Sequence, residues 1–172
     1  NADEAHARAE AAMRDLPADA QGASAMRVLE LFAQSRQQAI WKALREKQDW
    51  PAQWLTDVHA AYAVLARHPL ATDRHLAAHH DFLRSLGAAA QAASVLDAGL
   101  ARFPESWVLH DRLRARLLAE KGPDGLEAAY DAMLKAPDAS SNLEWFAGYA
   151  AIVAAEFHRR ASHDESALAA YD

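Results

Sequence analysis

Leu65-Ala66-Arg67-His68-Pro69, Leu100-Ala101-Arg102-Phe103-Pro104 and Leu134-Lys135-Ala136-Pro137 are three variants of one short word. Their prolines stand 35 and 33 residues apart. Each word closes an apolar run with helical spacing. Proline commonly stands just beyond a helix end because it cannot continue the helix. A helix-end word that recurs at such a period predicts repeated helical units.

Reading backwards from the prolines extends the match. Stretches 3–17, 90–104 and 123–137, closed by Pro17, Pro104 and Pro137, align without gaps. Their third positions hold Ala5, Ala92 and Gly125, and their seventh hold Ala9, Leu96 and Ala129. The tenth are Ala12, Gly99 and Ala132, and the eleventh Met13, Leu100 and Met133. Offsets of four, seven and eight share one helical face, and small residues there let a neighbouring helix come close. The stretch closed by Pro69 fits less well, with Asp57 third and Val64 tenth. The final residues, 165–172, begin a further window with Ala167 third and Tyr171 seventh.

Composition agrees with helices. The 172 residues are 52% hydrophobic and 24% charged, enough to bury a core. Alanine is the commonest residue, and Val, Ile and Thr together number only about ten, where strands would favour them. No cysteine is present, which removes disulfides, thiolate metal sites and cysteine nucleophiles. The formal net charge is −6, with acids and bases interspersed. That is the wrong sign for a general nucleic-acid binder, so no nucleic-acid partner is expected. Uncharged apolar runs such as 147–155 fall far short of the ~20 residues of a bilayer span, so no membrane span is expected. Alanine richness and the excess of Arg over Lys fit a GC-rich bacterial genome.

The windows resemble the second helix of a tetratricopeptide repeat (TPR), a helix–turn–helix unit of about 34 residues with a small-x3-aromatic signal and a closing proline. Candidate first helices lie between them: 72–86 before Gly87, 105–120 before Lys121-Gly122-Pro123, and 140–160. In the last, Gly148 resembles the small residue at which the family's first helix meets its second. The resemblance is carried by 70–130, with 3–17 and 140–172 as flanks. Residues 18–54 fit poorly and hold either two helices or one long helix ending before Pro51. The family's Trp-Leu-Gly-Tyr signature is absent, and a convergent helical repeat would give the same words. The expected fold is all-α. Over 1–172 the resemblance implies one TPR-like domain, a right-handed α–α solenoid of antiparallel helix pairs. Its helices would span 3–16, 19–48, 51–67, 72–86, 88–102, 105–121, 124–136, 140–161 and 164 onward. The last repeat is cut at Asp172, so the chain is expected to be a fragment of a longer protein.

Chemistry-bearing patterns are sparse. Of nine histidines, His75 and His79 are i,i+4, a spacing that lets two imidazoles reach one metal ion. No third ligand is local and the glutamate of the zincin pattern is missing, so packing is the simpler reading. In the repeat register His79 and His80 would face the second helix of their own pair. The chain has no G-x-S-x-G elbow and no Gly-rich phosphate loop. Asp49, Asp57 and His59 beside Trp50 and Trp54 have the spacing of a solvated helix rim. Neither enzymatic activity nor a cofactor is expected. Arg112, Arg114 and Arg116 diverge by about 200° at each step and read as salt-paired surface. Trp41, Trp50 and Trp54 read as a core corner before an interaction site.

The resemblance places function in a groove. First helices of TPR arrays line a concave face on which partner segments dock. Carried over by register, the exposed inner positions are Arg74, Ala77, Asp81 and Arg84, then Val108, Asp111, Ala115 and Leu118, then Asn142, Trp145, Tyr149 and Ile152. Trp145 and Tyr149, four residues apart, would form one anchoring patch, or pack against a continuation of the solenoid. Ala77, Asp81 and Asp111 stand where chaperone-tail binders carry carboxylate-clamping residues, so such tails are not expected ligands. The expected function is a protein-interaction module whose partner is a protein or peptide. An accessory solenoid of a larger enzyme, self-association through the open end, and metal binding through His75 and His79 are the alternatives.

Overall fold

Proline and glycine set the helix ends. The computed structural model describes residues 11, 22–137 and 139–161, and among these the chain is all-helical with no strand. The helices are α1 (Ala23–Glu46), α2 (Ala52–Arg67), α3 (Asp73–Ser85), α4 (Ala89–Arg102), α5 (Trp107–Leu134) and α6 (Leu143–Arg160). The expected helices at 3–16 and from 164 lie outside the described residues. Between 22 and 51 there is one long helix, ending before Pro51 as one of the two readings held. α2 stops at Arg67, and His68, the residue before Pro69, is extended at φ −64°, ψ 137°, as the proline ring demands of its predecessor. Gly87, at φ 76°, turns the chain between α3 and α4.

Gly122 breaks α5 where two helices were expected. Its φ of 72° and ψ of −176° lie in a region that essentially only glycine occupies, and Pro123 then starts the second limb. α5 is therefore two limbs, 107–121 and 123–134.

The chain divides into two compact units, Asn1–Ala92 and Ala93–Asp172. In the first, α1 buries Leu29, Phe32, Ala33, Ile40 and Ala43 along one stripe, the i, i+3, i+4 spacing of an amphipathic helix. α2 answers with Val58, Ala61, Tyr62 and Leu65, and α3 adds Phe82 to the same core. Trp41, Trp50 and Trp54 pack at its edge, the core corner read from their clustering. Trp41 donates to Ser85 Oγ at 2.9 Å. Trp54 lies under the buried Arg36 guanidinium, 5.4 Å away, while Arg36 Nε meets Asp57 Oδ2 at 3.2 Å. Asp57 is thus the counter-charge of a buried guanidinium.

In the second unit the limbs of α5 fold against each other, with His110 of one touching Tyr130 of the other. α6 runs beside limb 107–121 in the same direction. Tyr149 packs on Arg114 at an offset of 35 residues, and the flanking pairs repeat it, Ser140 with Glu105 just before the two helices at 35 and His158 with Asp124 just after the limb at 34. Ala150, Ala154 and Ala155 are fully buried along α6, where small side chains allow close helix approach.

Stretch 3–17 lies outside the described residues apart from Ala11, and of the other two windows the shared small-residue face holds in 90–104. Ala92, Leu96 and Gly99 are buried as expected. In stretch 123–137 the buried side chains are Leu126 and Tyr130, one position later, and Ala132 is exposed. The large side chains Leu126 and Tyr130 win the core over neighbouring alanines because they remove more apolar area from water. Val64 is likewise exposed, beside the buried Ala61 and Leu65.

Candidate functional site

Large apolar side chains that face solvent together are the informative anomaly on a helical surface. In the second unit Trp145, Tyr149 and Ile152 are 72%, 42% and 52% exposed. At i, i+4 and i+7 they form one stripe along α6. Trp107, at the start of α5, is half exposed and adjoins the stripe, its ring edge-on to Tyr149 with centroids 5.6 Å apart.

Arg114 organises this face from below. Its side chain is only 3% exposed. The guanidinium carbon lies 4.4 Å from the Tyr149 ring centroid and 5.6 Å from that of Trp107, within the range of a cation–π attraction. Asp111, four residues after Trp107, pairs with Arg114, so the buried cation is neutralised locally. The expected reading of Arg114 as salt-paired holds, but it is interior and not surface. Arg116 pairs with Asp97 at 3.0 Å, and Arg112 donates to the Val108 carbonyl at 2.7 Å.

Behind the face runs a buried polar chain. His110 is stacked on Phe146 at 3.8 Å and 9°. Its Nε2 lies 2.9 Å from the Pro104 carbonyl oxygen, and its Nδ1 lies 2.9 Å from the Tyr130 hydroxyl. A carbonyl only accepts, so Nε2–H donates to Pro104, and the neutral ring takes the Tyr130 O–H at Nδ1. Burial pushes His110 below its ordinary value and Tyr130 up to about 12, the nearby Arg114 opposing the latter shift. This chain ties both limbs of α5 and the turn before them to α6, so the aromatic face rests on a rigid support.

Beside it lies a cleft of about 340 Å³ lined by Leu100, Leu113, Met133 and Leu143, with Arg116 and Asp97 also on its wall.

Of the residues singled out from sequence, Asn142, Trp145, Tyr149 and Asp111 all belong to the second unit and are exposed. Tyr149 and Asp111 are joined through Arg114. Arg74, Asp81 and Arg84 are exposed on α3 of the first unit, where Asp81 Oδ1 lies 2.9 Å from His80 Nδ1. Not every expected inner position is exposed: Val108 and Leu118 are half-buried. Ala77 is buried, because it lies between Leu76 and His80 on the inward side of α3. Gly148 is exposed with open space at its Cβ position, and the helix from 164 that it was expected to meet lies outside the described residues. Trp107, Arg114, His110 and Tyr130 were not anticipated as parts of one site. Only the i, i+3, i+7 spacing of Trp107, His110 and Arg114 would have flagged three of them.

The histidines of the first unit separate. His75 is buried, and its Nδ1 lies 3.0 Å from the Thr72 backbone N–H donor, closing the start of α3. His79 stacks on Tyr62 of α2, with centroids 4.7 Å apart and 6° between planes. It therefore packs on the preceding helix, not on its own second helix as expected. Burial, with help from His59, lowers its pKa to about 4. Among the described residues no three His, Asp or Glu side chains are grouped to hold a metal ion. No described helix is long and apolar enough to cross a membrane.

No family model, no curated protein and no solved structure matches this chain.

Proposed function

We propose that this chain is a protein-interaction module, built as a TPR-like solenoid, that binds a partner segment on the face formed by α5 and α6. The observation that carries this reading is the exposed stripe Trp145–Tyr149–Ile152 with Trp107 beside it. Such an apolar area costs free energy when left in water, and aromatic residues are the commonest anchors of interfaces. The offset of 35 residues between Arg114 and Tyr149, repeated at 35 and 34 by the flanking pairs Glu105–Ser140 and Asp124–His158, supports the repeat architecture, since in a solenoid equivalent residues of successive units lie side by side. These offsets match the spacing of the closing prolines. The buried Arg114 guanidinium against Trp107 and Tyr149, backed by the His110–Tyr130 contact, restrains those two rings, so less ordering entropy remains to be lost on binding. The face has exposed acidic neighbours in Asp111 and Glu144. Its best ligand is a peptide segment that offers apolar side chains together with lysine or arginine.

The test is selection of a random peptide library displayed on phage against the folded chain, followed by affinity measurement on the enriched sequences. Binders that weaken at least tenfold with Trp145→Ala or Tyr149→Ala, at unchanged helicity, support the proposal. Failure to enrich any sequence, or binders indifferent to both substitutions, refutes it.

A further inference from the structure

His59 and His79 face each other across the α2–α3 contact, with His59 Nδ1 3.4 Å from His79 Nε2. Ordinary hydrogen bonds span about 2.7–3.2 Å, so the pair is long for a shared proton. The separation fits another arrangement. Two imidazole nitrogens bound at about 2.0–2.1 Å to one tetrahedral ion stand about 3.3–3.4 Å apart, whereas cis ligands of a square-planar ion stand about 2.9 Å apart.

From this geometry we infer that His59 and His79 form a two-histidine site for a divalent transition ion with tetrahedral preference, Zn2+ or Co2+, clamping α2 to α3. The rings are held for it. Tyr62 lies flat against His79, and the Tyr62 hydroxyl donates to Gln37 Oε1 at 3.1 Å, which fixes the stacking platform. His59 is tilted 60° to His79 and leans on Phe82. The rings thus meet through their nitrogen edges and not face to face. Both residues are half-buried, so solvent reaches the pair. His75 and His80 are engaged elsewhere, with Thr72 and Asp81. Among the described residues no third protein ligand completes the set, so water fills the remaining positions and affinity is below that of a closed four-ligand site. The pair differs from the i,i+4 couple His75–His79 that sequence spacing suggests. The two ligands come from different helices, and only packing brings them together.

The test is titration of the full chain with Zn2+ by calorimetry and with Co2+ by visible absorption, at pH 7.5, with histidine ring signals followed by NMR in the Zn2+ titration. The inference predicts saturable binding of one ion below millimolar metal, tetrahedral Co2+ bands, and selective perturbation of the His59 and His79 rings. His59→Gln and His79→Gln, each checked for unchanged helicity, would each weaken binding at least tenfold. The ring signals of the unsubstituted chain decide the matter even if a variant misfolds. Absence of saturable binding, or binding that spares both rings and survives both substitutions, would overturn it and leave the contact as a long hydrogen bond between neutral imidazoles.

Discussion

Tyr130 donates its hydroxyl to His110 Nδ1 across 2.9 Å, joining the two limbs of α5 at a point where His110 also stacks on α6. The bond is buried, so its loss leaves an acceptor without solvent to replace the donor. Tyr130→Phe is expected to destabilise the chain by about 1–3 kcal/mol, read from the midpoint of urea unfolding. A change within a few tenths would show that the bond contributes nothing net.

The same pair sets a pH range for stability. His110 is held below its ordinary value by burial, so the unfolded chain binds its proton more readily. Its contribution is complete above about pH 6.5 and is lost as pH falls below that. Tyr130 is shifted the opposite way, to about 12, so its contribution is complete below about pH 10 and is lost as pH rises toward 12. Unfolding free energy should therefore fall on both sides of a neutral plateau. His110→Phe should flatten the acid limb, as measured by urea titrations at several pH values. An acid limb unchanged by that substitution would reassign it to other groups.

Gly122 carries the break in α5 at φ 72°, ψ −176°. Open space surrounds its Cβ position, so any cost of substitution comes from the backbone alone. Gly122→Ala should destabilise by about 1–3 kcal/mol in thermal unfolding. A neutral result would mean that the two limbs do not need this turn.

Lys47 closes α1 in the left-handed conformation, φ 53° and ψ 39°. A glycine there avoids the Cβ clash that the lysine bears. Lys47→Gly should stabilise by about 0.5–1 kcal/mol, seen as a higher thermal midpoint. A lower midpoint would show that the lysine side chain contributes more than the strain costs.

How far the sequence could be read follows from which residues carried the signal. The helix ends were legible because Pro69, Pro104 and the Gly122-Pro123 pair act locally, through φ and a missing N–H. The exposed places of Trp145, Tyr149 and Asp111 followed from the repeat register. The one-position slip at Leu126 and Tyr130 did not, because alanine-rich helices offer several nearly equivalent apolar faces and only tertiary packing selects one. Ala77 was misplaced for the same reason. Arg114 was hidden because a charged residue on an amphipathic helix reads as surface. It is buried only because Asp111, Trp107 and Tyr149 converge on it from two helices. His59 and His79, twenty residues apart, are joined by helix packing that no local pattern encodes.

Indole NMR reads out whether the α5–α6 aromatic face receives a partner segment. Five tryptophans give five indole N–H signals. On titration with a phage-selected peptide, those of Trp107 and Trp145 should shift and saturate together, while Trp41, Trp50 and Trp54, packed against the core of the first unit, stay in place. Saturating shifts confined to Trp41, Trp50 and Trp54, or peptide binding that leaves Trp107 and Trp145 unmoved, would contradict the account.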